Sequence, residues 1–208
     1  MKSVLREDLC RVINTTASSK PKKDLLISLT CMTDKTSRIV ASVGLALGGI
    51  FGMAGTFAPD PHLRATLWAI DGLGLVMATA LLTIMFYRLG HDVVASGFLI
   101  FAIGEGIILT GAPMEINASV PAFGTGTGLW ALSLCVTSLP AVFPLPVRII
   151  GIIGALLFFV TSFQIFAGAT ITPLSSPLPS LAYPLLVATL FGWIWSLLAD
   201  KIENLNNK

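Results

Sequence analysis

Charged side chains are scarce in this sequence. Asp, Glu, Lys and Arg together make up 12% of its 208 residues, whereas soluble domains carry about 25%. None of them occurs between residues 149 and 199. A soluble fold does not need so long an uncharged stretch, but a lipid bilayer does. The net charge of +2 is too small to indicate a nucleic-acid partner. These absences exclude an ordinary soluble domain and indicate a membrane protein.

The motifs of common enzymes and metal sites are also missing. The sequence has no HExxH, GxSxG, CxxC or Walker motif, and its three cysteines lack a metal-binding spacing. The two histidines, His62 and His91, fall between apolar segments, so neither is placed to ligate haem inside a span. We therefore predict no cofactor and no metal site. Because paired carboxyl groups can perform acid–base chemistry, an intramembrane enzyme stays open as a third hypothesis beside the two given below.

Hydrophobic residues, by contrast, make up 54% of the sequence. They form six segments of 19 to 23 residues, and about 20 helical residues cross a ~30 Å hydrocarbon core. Apolar and polar residues do not alternate along them, as they would in a membrane barrel. We predict an all-α, polytopic integral membrane protein, because a helix satisfies its own backbone groups in lipid. The predicted spans are residues 39–58, 65–87, 93–112, 122–143, 149–168 and 181–199.

The basic residues indicate the orientation of these spans. Twelve of the 13 Lys and Arg residues fall in segments on one side of the predicted membrane, and only Arg64 falls on the other. Basic residues mark the cytoplasmic side. We therefore predict both termini in the cytoplasm and six helices arranged as three outward-pointing hairpins in the cell (inner) membrane.

Three domains follow from this topology. Residues 1–38 form a polar, basic tail, residues 39–199 the six-helix transmembrane domain, and residues 200–208 a short cytoplasmic tail. We expect the first tail to be loosely ordered. Two alternatives are a short interfacial helix near its start, and an extension over residues 1–31 that the fold does not need.

Small residues and hydroxyl groups predict how the helices pack. Gly44, Gly48 and Gly52 form a small-xxx-small stripe on the first span, and such stripes let helix backbones approach closely in lipid. The stripe is interpreted as an intramolecular contact, with a homodimer face as the alternative. In the fourth span, Ser133, Thr137 and Ser138 are predicted to donate to carbonyls of their own helix.

Two carboxylates stand inside otherwise uncharged runs, in Asp71-Gly-Leu-Gly and Gly-Glu105-Gly. Asp71 is seven residues from Arg64, and Glu105 is seven residues from Ala112. At 1.5 Å per residue both lie about 10 Å below the outer ends of neighbouring helices. Gln164 is placed toward the same side. The predicted binding residues are therefore Glu105, Asp71, Gln164 and Arg64.

A charged group at a helix centre in lipid costs at least ~2.5–3.5 kcal/mol, so each carboxylate needs an explanation. In a structural interpretation, Asp71 pairs with Arg64 or water, and Glu105 is protonated and bonded to a neighbouring helix. In a functional interpretation, the pair binds a cation, a proton or a polar headgroup in an outward-open cavity. The glycines beside Glu105 would leave room for a close backbone or a ligand.

Two functional hypotheses follow from the sequence. In the first, the protein binds a small molecule, ion or proton in the outer half of the membrane, as a transporter would. In the second, it is a non-catalytic partner or assembly subunit, or a homo-oligomer, whose glycine-rich helix faces and proline-bearing outer loops contact other membrane proteins. Both hypotheses place the protein in a lipid bilayer, and no motif is specific enough to assign a family.

Overall fold

A computed structural model describes residues 20–112 and 114–199, with side chains described from residue 35 onward. All regular structure in this part of the chain is helical, which confirms the predicted all-α class. By length and composition, six helices in it can cross a membrane, the first over Lys35–Phe57. The helices are α1 (Lys20–Phe57), α2 (Pro61–Arg88), α3 (Asp92–Gly111), α4 (Val120–Ser138), α5 (Leu145–Phe166) and α6 (Leu178–Leu198).

The chain divides into two units at Ser37, and all packing described below lies within residues 38–208. Helix α1 begins at Lys20, so it starts inside the predicted polar tail. The predicted interfacial helix near the N-terminus and the C-terminal tail lie outside the described residues.

Proline and capping residues explain where α2 and α4 differ from the predicted spans. Helix α2 begins at Pro61, four residues earlier than predicted, because Asp60 caps it: the Leu63 N–H donates to Asp60 Oδ1 at 2.7 Å. Helix α4 ends at Ser138 and not at residue 143. Pro140 follows closely, and a proline cannot donate the backbone hydrogen bond that would continue the helix.

Large apolar side chains are exposed on the faces of the helices. On α5 they recur every three or four residues, which places them in one stripe along the helix. Each of these residues is at least 45% exposed: Ile149, Ile153, Leu156, Phe159, Phe163 and Phe166. A monomeric soluble protein rarely exposes so large an apolar patch. The stripe is compatible with a lipid environment, in agreement with the length and hydropathy of the helices.

Helices α1 and α2 contact each other through the predicted glycine stripe. A Cβ added to Gly44 would lie 2.7 Å from the backbone oxygen of Gly74 on α2, and one added to Gly48 would overlap the Leu75 side chain. A Cβ at Gly52 would lie 2.8 Å from Asp71 Oδ2. The stripe is therefore in contact with α2 of the same chain, as the intramolecular interpretation requires.

Two hydroxyl groups connect neighbouring helices. Ser133 on α4 donates to the Gly97 carbonyl of α3 at 2.8 Å, and Ser162 on α5 donates to the Gly124 carbonyl of α4 at 2.7 Å. Thr137 donates to the Ser133 carbonyl of its own helix, as predicted. The prediction for Ser133 was wrong, because the missing side chain at Gly97 lets the α3 backbone come within reach of the serine hydroxyl.

Candidate ligand-binding site

A cavity of about 450 Å³ lies among four helices and two of their connections. Its volume is within the range of pockets that enclose small organic ligands. Helices α2, α3, α4 and α6, the α3–α4 connection and the α5–α6 connection all contribute to its wall. The polar residues of the wall are Arg64, Asp71, Glu105, Glu115, Asn117, Ser119 and Tyr183, and its larger apolar and aromatic residues include Trp68, Ile108, Leu109, Phe123 and Trp130.

The two carboxyl groups that the sequence singled out line this same cavity. Asp71 is half-buried on α2, and Glu105 on α3 is only 2% exposed. Gly72, the residue after Asp71, faces Glu105, since a Cβ there would lie 3.0 Å from Glu105 Oε1. The sequence predicted a similar depth for the two carboxyl groups, and the packing of α2 against α3 brings their side chains to one cavity.

Two glycines make room for these carboxyl groups, and a third lets the backbones of α3 and α4 approach closely. Gly52 on α1 makes room for the Asp71 carboxyl group, and Gly72 on α2 makes room for Glu105, whose Oε1 would lie 3.0 Å from a Cβ at that residue. Gly104 instead faces α4, where its added Cβ would lie 3.1 Å from the Gly126 carbonyl oxygen. The predicted close approach of a backbone beside Glu105 is therefore made at Gly104.

Three buried polar atoms in residues of the cavity wall have no hydrogen-bond partner. They are Oε2 of Glu105, Nε1 of Trp130 and Nε of Arg64. The Trp130 indole lies beside the Glu105 carboxyl group, but neither Trp130 Nε1 nor Glu105 Oε2 makes a hydrogen bond. Because an unpaired polar atom in a low-dielectric interior costs about 1–3 kcal/mol, these atoms indicate a place for a polar ligand or water.

Arg64 is anchored at the rim of the cavity by the end of α1. Its Nη2 donates to the Ala58 carbonyl oxygen at 2.7 Å, which satisfies a backbone acceptor just beyond that helix. Within the residues described, no ion pair joins Arg64 to Asp71. The guanidinium group thus lines the cavity without neutralising the carboxyl group seven residues further along α2.

Gln164 is the predicted binding residue that the structure does not bring to the cavity. It is exposed on α5, beside the apolar stripe that includes Phe163, and it is absent from the cavity wall. Its depth was similar to that of Glu105, but depth alone does not specify the direction of a side chain around a helix.

The aromatic part of the wall was not predicted, although one signal for it was present in the sequence. Arg64, Trp68 and Asp71 are spaced i, i+4 and i+7, which places Trp68 on the cavity face of α2. Phe123 and Trp130 are likewise seven residues apart on α4. Tyr183 from α6 completes the aromatic wall, with its ring centroid 6.1 Å from that of Trp130.

The donor set does not suit a multivalent metal ion. No group of three His, Cys, Asp or Glu side chains that could hold a metal occurs within the described ranges. Ca²⁺ prefers six to eight oxygen ligands, and Zn²⁺ sites use three or four protein ligands. What the cavity offers is the carboxyl groups of Asp71, Glu105 and Glu115, two unpaired N–H donors and aromatic rings, a set suited to a small organic ligand.

Comparison of the chain with protein-family models, with curated proteins and with solved structures finds no match. The function of the cavity is therefore inferred from its own residues and from the properties of the helices around it.

Proposed function

We propose that this chain is a multi-pass membrane protein that binds a small molecule or a small cation in the cavity lined by Asp71 and Glu105. The single observation that carries the proposal is Glu105: its side chain is 2% exposed, and its Oε2 has no partner in the wall of a 450 Å³ cavity. A buried carboxyl group without a partner is costly. A bound ligand that supplies a donor or a positive charge would offset that cost.

The orientation in the membrane is part of the proposal. The protein lies in the inner membrane of the cell, where its six spanning helices form three outward-pointing hairpins. Both termini lie in the cytoplasm. The placement of the Lys and Arg residues supports this topology. In this orientation the cavity opens toward the outer surface, and Arg64, the one basic residue of the outer connections, lies at its rim.

Transport is the activity that such a site would serve in a membrane. Secondary transporters bind their substrates within the membrane, at sites formed between helices. Here several helices and two connections share one cavity. Asp71 lies ten residues from the start of α2 and Glu105 six residues from the end of α3, which is about 15 Å and about 9 Å along the helices. A ligand entering from the outer side would reach them without crossing the whole bilayer.

The alternative hypothesis of an assembly subunit has lost one of the two observations that motivated it, the free glycine face of the first span. The glycine stripe of Gly44, Gly48 and Gly52 contacts α2 within the chain. An external partner helix could not use the same face without displacing α2. The ligand-binding hypothesis has meanwhile gained a cavity, unpaired polar atoms and an aromatic wall, and it is the function we favour.

Tryptophan fluorescence of the protein in lipid nanodiscs tests the proposal. Two of the four tryptophans, Trp68 and Trp130, line the cavity, so a ligand there should change their emission. We expect saturable binding from a panel of cationic, neutral and anionic molecules that fit the cavity. Replacing the exposed wall residue Ala65 with phenylalanine should weaken the binding at least tenfold, because the larger side chain occupies part of the cavity.

The matched control for this variant is Ala80→Phe. Ala80 is also exposed on α2 but is not in the cavity wall, so its replacement should leave binding unchanged. The proposal fails if no member of the panel binds saturably, or if the Ala65 and Ala80 variants bind the ligand equally well.

A further inference from the structure

We infer that the ligand of this cavity is an organic ammonium with at least one N–H and a hydrocarbon or aromatic body. The inference rests on the proposed function and narrows its ligand class. The cavity presents two carboxyl groups at one place and an aromatic wall around them. The carboxyl groups select against anions and uncharged molecules, and the aromatic wall selects against bare metal ions. An ammonium with a hydrophobic body satisfies both requirements.

The carboxyl groups select for positive charge. Asp71 and Glu105 repel each other when both are ionised, and a cation between them replaces that repulsion with two attractive interactions. Glu115 also lines the cavity, so three acidic residues face the single basic residue Arg64 there. An anionic ligand would add its charge to a wall that has more acidic than basic side chains.

The unpaired oxygen selects for a donor. Glu105 Oε2 is buried and accepts no hydrogen bond, and a charge-assisted N–H···O bond is about twice as strong as a neutral one. A primary or secondary ammonium can give one N–H to Glu105 and direct its charge toward Asp71. A quaternary ammonium has no N–H, so it would leave Oε2 without a partner.

The aromatic wall selects for an organic body over a bare ion. Trp68, Phe123, Trp130 and Tyr183 surround the space next to the carboxyl groups. Tyr183 lines the same cavity, and its ring centroid lies 6.1 Å from that of Trp130. Aromatic faces attract organic cations and also bury their hydrocarbon parts. A bare Na⁺ or K⁺ ion would use neither the rings nor most of the 450 Å³ volume.

Four aromatic probes of similar size test the requirements for a positive charge and for an N–H donor separately. They are 2-phenylethylammonium, 2-phenylethanol, 3-phenylpropionate and benzyltrimethylammonium, each titrated in nanodiscs with the fluorescence of Trp68 and Trp130 as readout. We expect 2-phenylethylammonium to bind at least tenfold more tightly than the alcohol and the quaternary ammonium. The carboxylate should bind most weakly of the four.

Two isosteric variants test whether the carboxyl groups cause the preference for 2-phenylethylammonium over 2-phenylethanol. Glu105→Gln should weaken binding of 2-phenylethylammonium about 30-fold or more, the loss expected when one partner of a buried charge pair is removed, and should leave binding of 2-phenylethanol within threefold. Asp71→Asn should act in the same direction, and it serves in place of Glu105→Gln if that variant does not fold.

The inference is overturned if the alcohol, the carboxylate or the quaternary ammonium binds as tightly as 2-phenylethylammonium. It is also overturned if neither isosteric variant changes the preference. In either case, sensitivity to Ala65→Phe would show that the cavity still binds a ligand, so the proposed function would survive. Loss of saturable binding for every probe, including the broader panel, would instead overturn the proposed function itself.

Discussion

Replacing Gly44 with alanine is expected to destabilise the protein by about 1–3 kcal/mol, the usual cost of adding a methyl group to a well-packed contact. The added Cβ would lie 2.7 Å from the Gly74 backbone oxygen and 2.9 Å from Ala78 Cβ. A backbone atom cannot rotate out of the way as the end of a side chain can, so α1 and α2 must separate. The shift in the midpoint of unfolding by denaturing detergent measures the effect.

Gly49→Ala is the matched control on the same helix. A Cβ there would contact Val187 at an ordinary 3.5 Å, and alanine is the better helix former by about 1 kcal/mol. The control should therefore unfold no more readily than the wild type. If both variants unfold alike, the close contact of α1 with α2 is not a source of stability, and a change in oligomeric size with Gly44→Ala would restore the homodimer interpretation of the stripe.

Replacing Gly72 with alanine is expected to weaken ligand binding at least tenfold while the protein stays folded. Its Cβ would lie 2.5 Å from Leu109 Cδ2 and 3.0 Å from Glu105 Oε1. Leu109 Cγ would also lie 2.8 Å away. Leu109 and Glu105 both line the cavity and have side chains that can move, so the strain should shift these two side chains in preference to separating the helices. Binding of 2-phenylethylammonium and the unfolding midpoint, measured on the same sample, distinguish the two effects.

Gly106→Ala provides the comparison for Gly72→Ala. Gly106 is next to Glu105 in the sequence, but an added Cβ there would meet nothing within 4 Å. We expect wild-type binding from this variant. Equal losses from both variants would mean that any substitution near Glu105 impairs the site, and that Gly72 has no particular role in positioning the carboxyl group.

The helices themselves could be predicted from the sequence, because the solvent imposes their length and hydropathy. Six runs of about 20 apolar residues predicted six helices, and six are present in the described part of the chain. The helix ends were predicted less accurately, because capping by Asp60 and the stop before Pro140 are local effects within polar or mixed stretches. Composition over a long window does not resolve such effects.

The directions of the side chains around each helix could not be predicted, for a physical reason. In water, the apolar face of a helix indicates the core, but in lipid both the core and the surroundings accept apolar residues. Gln164 and Glu105 were placed at similar depth, yet one is exposed and the other is buried. Ser133 shows the same limitation, since its hydrogen bond to Gly97 depends on a neighbouring helix.

The glycine stripe did predict which face of a helix contacts another helix, because close packing of two helices needs small residues on the contacting face. Gly44, Gly48 and Gly52 share one face of α1, and that face contacts α2. The pattern did not predict that Gly52 faces the candidate site. A Cβ at Gly52 would lie 2.8 Å from Asp71 Oδ2, so the glycine stripe ends beside the Asp71 carboxyl group.

The central claim is that Asp71 and Glu105 act together on one ligand, and a double-mutant cycle tests it most directly. Affinities for 2-phenylethylammonium are measured for the wild type, Asp71→Asn, Glu105→Gln and the double variant. If both carboxyl groups contact one ammonium, each single variant binds more weakly, and the two losses differ from additivity by about 0.5–3 kcal/mol. Losses that add to within about 0.5 kcal/mol, or single variants that bind like the wild type, would contradict the shared site.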